Sequence, residues 1–185
     1  MTEEQLRAVT VGELRPLAGP IELADYDAAW PTLYEHEAEK IRVALGPAAL
    51  RVEHAGSTAV PGLAAKPIID IILVVADSDD EDAYVPALEA AGYVLRIREP
   101  DWFKHRMLRG REPTVNLHVF SPRCEEVERM LIFRDRLRAD ESDRALYERT
   151  KRELAQRKWT FGQNYADAKS AVVEQIMARA GHPRA

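Results

Sequence analysis

Cysteine is almost absent from this chain, and long apolar runs are absent altogether. The single cysteine, Cys124, excludes an internal disulfide and a zinc cluster built on several cysteines. No apolar run approaches the ~18 residues of a membrane-spanning helix, and the first 30 residues lack the apolar core of a secretory signal. The net charge of −5 is too modest to favour nucleic acid or an anionic membrane as a partner. These absences predict a cytoplasmic protein that binds neither.

Hydrophobic periodicity places strands first and helices last. The pattern predicts a helix over 27–46 and another over 79–91, strands at 21–23, 50–54, 67–76, 93–98, 103–109 and 114–120, and helix from residue 123 onwards. We therefore predict an α/β (α+β) fold in which helices flank a mixed sheet. An N-terminal arm at 1–20, a core at 21–122 and a C-terminal helical segment at 123–185 would form one domain.

Basic residues are concentrated in residues 96–111 although the whole chain is acidic. They are Arg96, Arg98, Lys104, Arg106, Arg109 and Arg111, against only Glu99 and Asp101. Such a patch suggests a small anionic ligand, but a solvated hairpin with scattered charges explains it equally well.

One carboxylate interrupts the strand predicted at 67–76. The sequence PIIDIILVVA is otherwise apolar, which is typical of a strand covered on both faces, and its single acid is Asp70. A charge in such a strand costs several kcal/mol unless a cation or a strong donor pairs with it. The leading hypothesis is therefore a metal or phosphate site at Asp70.

A small turn, Gly56-Ser57-Thr58, follows the strand predicted at 50–54. Glycine allows close approach of the backbone, and successive N–H groups with two hydroxyls can cradle phosphate oxygens. Alone, such a turn is usually structural. Its place one strand before Asp70 makes a phosphate site a stronger hypothesis.

Several segments together resemble a known family. The stretch HAGSTAVPGLAAKPIIDIIL at 54–73, then NLHVF at 116–120 and FRDRLR at 133–138, followed by Tyr147, Lys151, Tyr165 and Lys169, resembles the GrpB-like family of the nucleotidyltransferase superfamily. The resemblance extends over roughly residues 21–180. It implies a nucleotidyltransferase-like fold, in which the Gly-Ser turn holds nucleotide phosphates while two acids on the next strand and one on a later strand hold two magnesium ions.

The chain departs from that pattern at two of the three acids. Ile72 occupies the position of the second acid, and Asn116 and His118 stand where the late acid is expected. The usual two-metal site is thus excluded. We expect at most one ion, Mg²⁺ or Mn²⁺, held by Asp70 with help from Glu53 or His118, or an anion bound without metal.

The remaining candidates are basic. Lys66 stands at the mouth of the Asp70 strand, where it would either neutralise that carboxylate or contact a ligand phosphate, and we favour the ligand role. Lys151 and Lys169 are weaker candidates, because helical lysines are more often solvated. Asp70, as metal ligand, and Lys66, as stabiliser of developing charge, would be the catalytic pair.

Three functions follow from the resemblance. An active enzyme would transfer a nucleoside monophosphate from a nucleoside triphosphate to an unknown acceptor. A degenerate relative would bind a nucleotide, a CoA-type compound or another phosphorylated small molecule without turnover. An accessory domain would dock a protein partner in CoA metabolism, since relatives of the family occur fused to dephospho-CoA kinase.

Overall fold

A five-stranded mixed sheet forms the centre of the computed structural model, which describes residues 1–182. Its strands are β1 (Arg51–Ala55), β2 (Ile69–Val74), β3 (Val94–Glu99), β4 (His105–Gly110) and β5 (Val115–Phe120), in the order β1-β2-β5-β4-β3. β2 and β5 are parallel, and the other neighbours are antiparallel. The predicted mixed sheet is therefore confirmed.

Seven α-helices accompany the sheet in the described part of the chain. They are α1 (Glu3–Val9), α2 (Trp30–Leu45), α3 (Val85–Ala90), α4 (Glu125–Ala139), α5 (Glu141–Ala155), α6 (Gly162–Ala168) and α7 (Ser170–Arg179). The last three residues of the predicted helical segment, 183–185, lie outside the described residues. Within residues 1–182 no helix has the length and apolar character needed to cross a membrane.

Three local predictions differ from the structure. The arm, which was not predicted to be helical, contains α1, and this helix begins at a capping box between Thr2 and Gln5. The strand predicted at 21–23 is wrong, because only Ala24 pairs there, in an isolated bridge with Ala65. The helix predicted at 79–91 is shorter, since α3 ends at Ala90 and begins only after a 3₁₀ turn.

The two faces of the sheet are covered differently. On one face, α2 and α3 bury alternate residues of the strands, such as Ile71 and Leu117. On the other face, α4 covers Ile72, Val74 and Phe120. Because side chains alternate along a strand, Asp70 points to this second face, near the start of β2. The loop between β1 and β2 and the helices α5–α7 lie beside that end.

Candidate anion-binding site

Asp70 is fixed by its two neighbouring strands. It pairs with Ala55 on β1 and Asn116 on β5, and the Asn116 Nδ2 donates a hydrogen bond of 2.8 Å to Asp70 Oδ1. Burial opposes ionisation of the carboxyl, but a protonated His118 ring and the Asn116 amide outweigh it and hold the pKa of Asp70 below its usual range. Asp70 is therefore an ionised carboxylate, and 27% of its side chain is exposed.

The Gly-Ser turn lies directly against this carboxylate. Gly56 has φ +67°, and a Cβ at this position would lie 2.3 Å from Asp70 Oδ2, so no other residue fits without displacing the Asp70 side chain. A 3₁₀ turn, Ser57–Ala59, follows. Ser57 Oγ accepts a hydrogen bond of 3.0 Å from Lys151 Nζ. The turn thus joins β1 to the lysines of the helical segment.

Thr58 does not reach the site with its side chain. Its hydroxyl is buried, donates to the backbone carbonyl of Ile68 at 3.2 Å and lies 3.1 Å from His54 Nε2. His54 itself points to the opposite face of the sheet and stacks on Tyr34, with ring centroids 4.6 Å apart. The predicted ligand role of the Thr58 hydroxyl is corrected to a structural one, because these bonds already use it.

The structure brings together the three lysines that the sequence predicted. Lys66 and Lys169 lie 5.5 Å and 4.8 Å from the centroid of the same ring, that of Tyr165. Lys151, from α5, is 2% exposed and donates hydrogen bonds to Ser57 Oγ and to the backbone carbonyl of Ala64. Asp70 acts electrostatically on Lys66 and on Lys169, which lies between α6 and α7, whereas Lys151 is joined to the turn beside Asp70.

Arg109 is a fourth cation that the sequence analysis did not select. It lies on β4 directly opposite Asn116, on the same face of the sheet as Asp70. Only the basic composition of its segment pointed to it. Alternation along β4 and its register with β5 would have found it, but register is not readable from sequence alone.

Crowding and burial weaken the protonation of all four cations. Burial and the nearby Lys169 lower the pKa of Lys66, and burial lowers the pKa of Lys169 and of Arg109. Burial, with a smaller effect of Lys169, lowers the pKa of Lys151 to about 7. These lowered pKa values mean that nearby negative charges do not offset the cost of burying each positive charge.

No carboxylate forms an ion pair with any of these four cations in the part of the chain that the structure describes. Three buried polar atoms also have no hydrogen-bond partner there, and they belong to Arg109, Asn116 and Tyr165. Unsatisfied buried groups are costly, and a bound anion could accept from Arg109 Nη1 and from the Tyr165 hydroxyl, whereas Asn116 Oδ1 needs a donor. We name the turn 56–58, Asp70 and the four cations the Asp70 site.

Glu53 does not belong to the Asp70 site. It lies two residues before Ala55 on β1 and pairs with Ile72, and its carboxylate accepts from Arg51 at 3.1 Å and from Arg134 at 3.2 Å. These arginines occupy its oxygens. The predicted metal role of Glu53 is therefore corrected to an ion pair that joins β1 to α4.

His118 does lie beside Asp70, with Nε2 3.8 Å from Asp70 Oδ1. One carboxylate and one imidazole are a poor donor set for Mg²⁺ or Mn²⁺, which prefer several oxygen ligands, and no group of three or more His, Cys, Asp and Glu side chains suited to a metal occurs among residues 1–182. Three lysines and an arginine around the carboxylate oppose a further cation. The residues present do not fit a resident divalent ion.

The basic stretch at 96–111 is mostly neutralised by acids. Arg106 donates to Asp79 at 2.7 Å and to Glu81 at 2.5 Å, and Arg98 and Lys104 form ion pairs with the same two carboxylates. We name these five residues the paired cluster. The stretch as a whole therefore does not form the predicted site for an anionic ligand. Of its basic residues, Arg109 belongs to the Asp70 site.

Comparisons with known proteins identify the family of the chain and a similar fold. A family model described as GrpB protein matches residues 20–179. A UPF0157 protein of Halalkalibacterium halodurans is 60% identical over 97% of this chain and 92% of its own length. A dephospho-CoA kinase of Mycolicibacterium paratuberculosis is 33% identical over 75% of this chain but only 40% of its own. The crystal structure of a GrpB protein from Enterococcus faecalis superposes with a TM-score of 0.74 at 29% identity, over 87% of this chain and all of that one.

Proposed function

The chain belongs to the GrpB family, and we propose that its Asp70 site binds the phosphate groups of a nucleotide or of a CoA-type compound. The observation that carries this proposal is the surplus of positive charge: four buried cations lie at the turn and around Asp70, and none of them forms an ion pair with an acid among residues 1–182. Buried charges without partners are strongly destabilising. Bound phosphate oxygens would relieve that cost.

Each part of the site has a role in such a complex. Lys66 and Lys169 would neutralise phosphate oxygens, and Arg109 would donate through its unpaired Nη1. The Ser57 hydroxyl and Lys151 form a connected pair of donors at the turn. The four cations would take over the charge compensation that metal ions provide in related sites, so we propose binding that needs no divalent ion.

Transfer of a nucleoside monophosphate from a nucleoside triphosphate to an unknown acceptor is the second candidate. The ionised Asp70 beside His118 favours it, because a pure binding site for anions has no use for a carboxylate at its centre. The Lys66 charge would then stabilise the leaving pyrophosphate. A link to CoA metabolism, through a CoA-type ligand or a protein partner, is supported by the similarity to a dephospho-CoA kinase.

A thermal-shift screen separates these possibilities. ATP, CoA and dephospho-CoA are each tested with wild type and Asp70→Asn, in EDTA and in Mg²⁺ or Mn²⁺. We expect at least one compound to raise the melting temperature in EDTA, and Asp70→Asn to retain or enlarge the shift because it removes a negative charge that opposes the phosphate. A shift that needs a divalent ion and disappears in Asp70→Asn would restore the predicted metal site. No shift with any compound would overturn the binding proposal.

A further inference from the structure

A chain of four side chains leads from the surface to the Asp70 site. His105 Nδ1 lies 2.7 Å from Glu99 Oε2, and His105 Nε2 lies 3.0 Å from His118 Nδ1. His118 Nε2 then faces Asp70 Oδ1 at 3.8 Å. Nothing in the phosphate-binding proposal uses these histidines, so their arrangement needs a separate explanation.

Hydrogen-bond rules fix the protons along this chain. An ionised carboxylate only accepts, so the proton between Glu99 and His105 belongs to His105 Nδ1. Burial outweighs the opposing effect of Glu99 and lowers the pKa of His105 to about 4, so its ring is neutral at pH 7 and Nε2 accepts. The hydrogen bond between the rings therefore requires a proton on His118 Nδ1.

His118 Nε2 is consequently an unprotonated nitrogen when that ring is neutral. It faces another acceptor, Asp70 Oδ1, at a distance too long for a direct hydrogen bond. A ligand hydroxyl has one proton, so it can donate to only one of these two acceptors, and a hydroxyl about 2.8 Å from Nε2 would satisfy that nitrogen. Because 23% of the His118 side chain is exposed, a ligand can reach this place.

We propose that His118 is the catalytic base of the site: its Nε2 takes the proton of an acceptor hydroxyl that attacks a bound nucleoside triphosphate. The inference rests on the proposed function and supplies its acceptor chemistry. The hydroxyl oxygen forms a bond to the α-phosphorus, the bond from that phosphorus to pyrophosphate breaks, and the proton moves to Nε2. Pyrophosphate leaves with the electron pair toward the lysines, and Asp70 stabilises the imidazolium.

His105 and Glu99 are positioning residues in this proposal. Trp102 packs edge-on against the His105 ring at 5.2 Å, and Phe120 stacks on it at 4.8 Å, which shields the ring from water. Shielding preserves the neutral form and leaves Glu99 as its proton acceptor. Glu99 thereby determines which nitrogen of His118 faces the ligand.

Histidine tautomers are directly observable by long-range ¹H–¹⁵N NMR at pH 7 without ligand. We expect His105 and His118 both to carry the proton on Nδ1. Glu99→Gln should preserve this pattern, because the amide oxygen still accepts, whereas Glu99→Ala should shift both rings toward the Nε2-protonated form. A purely structural Glu99 would change stability but not the tautomers. Wild-type His118 protonated on Nε2 would overturn the proposal.

Turnover tests the base itself, with glycerol as a probe hydroxyl. Pyrophosphate release from ATP should fall by about 100-fold or more in His118→Gln, while calorimetry shows an ATP affinity changed by less than about threefold. Equal pyrophosphate release by both proteins, or no release by a wild type that binds ATP, would contradict the role of His118 as a base. Neither result would contradict the proposed binding function. A wild type that does not bind ATP would instead refute the proposed function.

Discussion

Two groups of basic side chains lie in this protein, and only one of them has its charge compensated. In the paired cluster, Arg98, Lys104 and Arg106 contact Asp79 and Glu81, acids of the segment that follows β2. At the Asp70 site, cations from β4, a loop and the helical segment lie at the turn and around one carboxylate. The dense basic run in the sequence is thus mainly structural, whereas the dispersed lysines form the candidate site. Whether basic side chains are paired with acids, rather than how dense they are in the sequence, distinguishes a binding site from a structural network.

The largest difference in ATP affinity is expected when one cation is removed from each group. Lys169→Met should weaken ATP binding about 100-fold, because it deletes a charge-assisted contact at a site that depends on charge. Arg98→Met is the matched control, since the Arg98 side chain is 49% exposed and engaged with Glu81. It should leave ATP affinity unchanged in calorimetry. An equal loss in both variants would show that only the overall charge matters.

A substitution in the paired cluster should lower the stability of the protein and leave ATP binding unchanged. Arg106 is 5% exposed and holds Glu81 at 2.5 Å, so Arg106→Met should lower the free energy of unfolding by about 2 kcal/mol. Denaturant unfolding measures this loss, and ATP affinity should not change. Weakened ATP binding by a folded Arg106→Met would place the paired cluster in the site and contradict the distinction.

Two glycines near the turn provide a matched pair of substitutions. Gly56 and Gly62 both have positive φ, +67° and +77°, but only at Gly56 does an added Cβ meet a neighbour, Asp70. Gly56→Ala should therefore reduce ATP affinity about tenfold by displacing the carboxylate and the turn, since each such close contact must be relieved by movement. Gly62→Ala should show only the backbone strain of about 1 kcal/mol in its unfolding. Equal ATP affinity in the two variants would contradict the packing argument.

The last comparison concerns the pH dependence of stability. The pKa of Lys151 is about 7 in the folded protein, against 10.5 for a free lysine, so the unfolded chain binds more protons between these values. Stability therefore gains a contribution as pH rises from about 7 towards 10.5, and this contribution is absent below that window. In Lys151→Met the rise should disappear, and unfolding at pH 7 should become about 1 kcal/mol harder. An unchanged pH profile would show that Lys151 titrates normally.

Much of this arrangement follows from the sequence because it is local. The β2 strand follows from its apolar run, and Gly56 follows from the need for a close turn beside Asp70. Lys66 was recognisable from its place at the start of the Asp70 strand. Lys151 and Lys169 were recognisable only through the family resemblance, since helical spacing alone does not distinguish them from surface lysines.

The errors concern contacts between distant segments. Glu53 was assigned to a metal because its partner Arg134 is 81 positions away, on α4. The paired cluster was not predicted because Arg106 binds Glu81 and Asp79, which lie 25 and 27 positions earlier in the segment that follows β2. Charge pairing of this kind depends on tertiary packing, and a single sequence does not encode it in any readable pattern.

The central claim is that cations, rather than a divalent ion, hold phosphate at the Asp70 site. Calorimetric titration of inorganic tripolyphosphate in EDTA, into wild type and a Lys66→Met/Lys169→Met double variant, tests it most directly. We predict that the wild type binds without metal and that the double variant loses about 1,000-fold in affinity. Binding that appears only after Mg²⁺ is added, or equal affinity in the folded double variant, would contradict the claim.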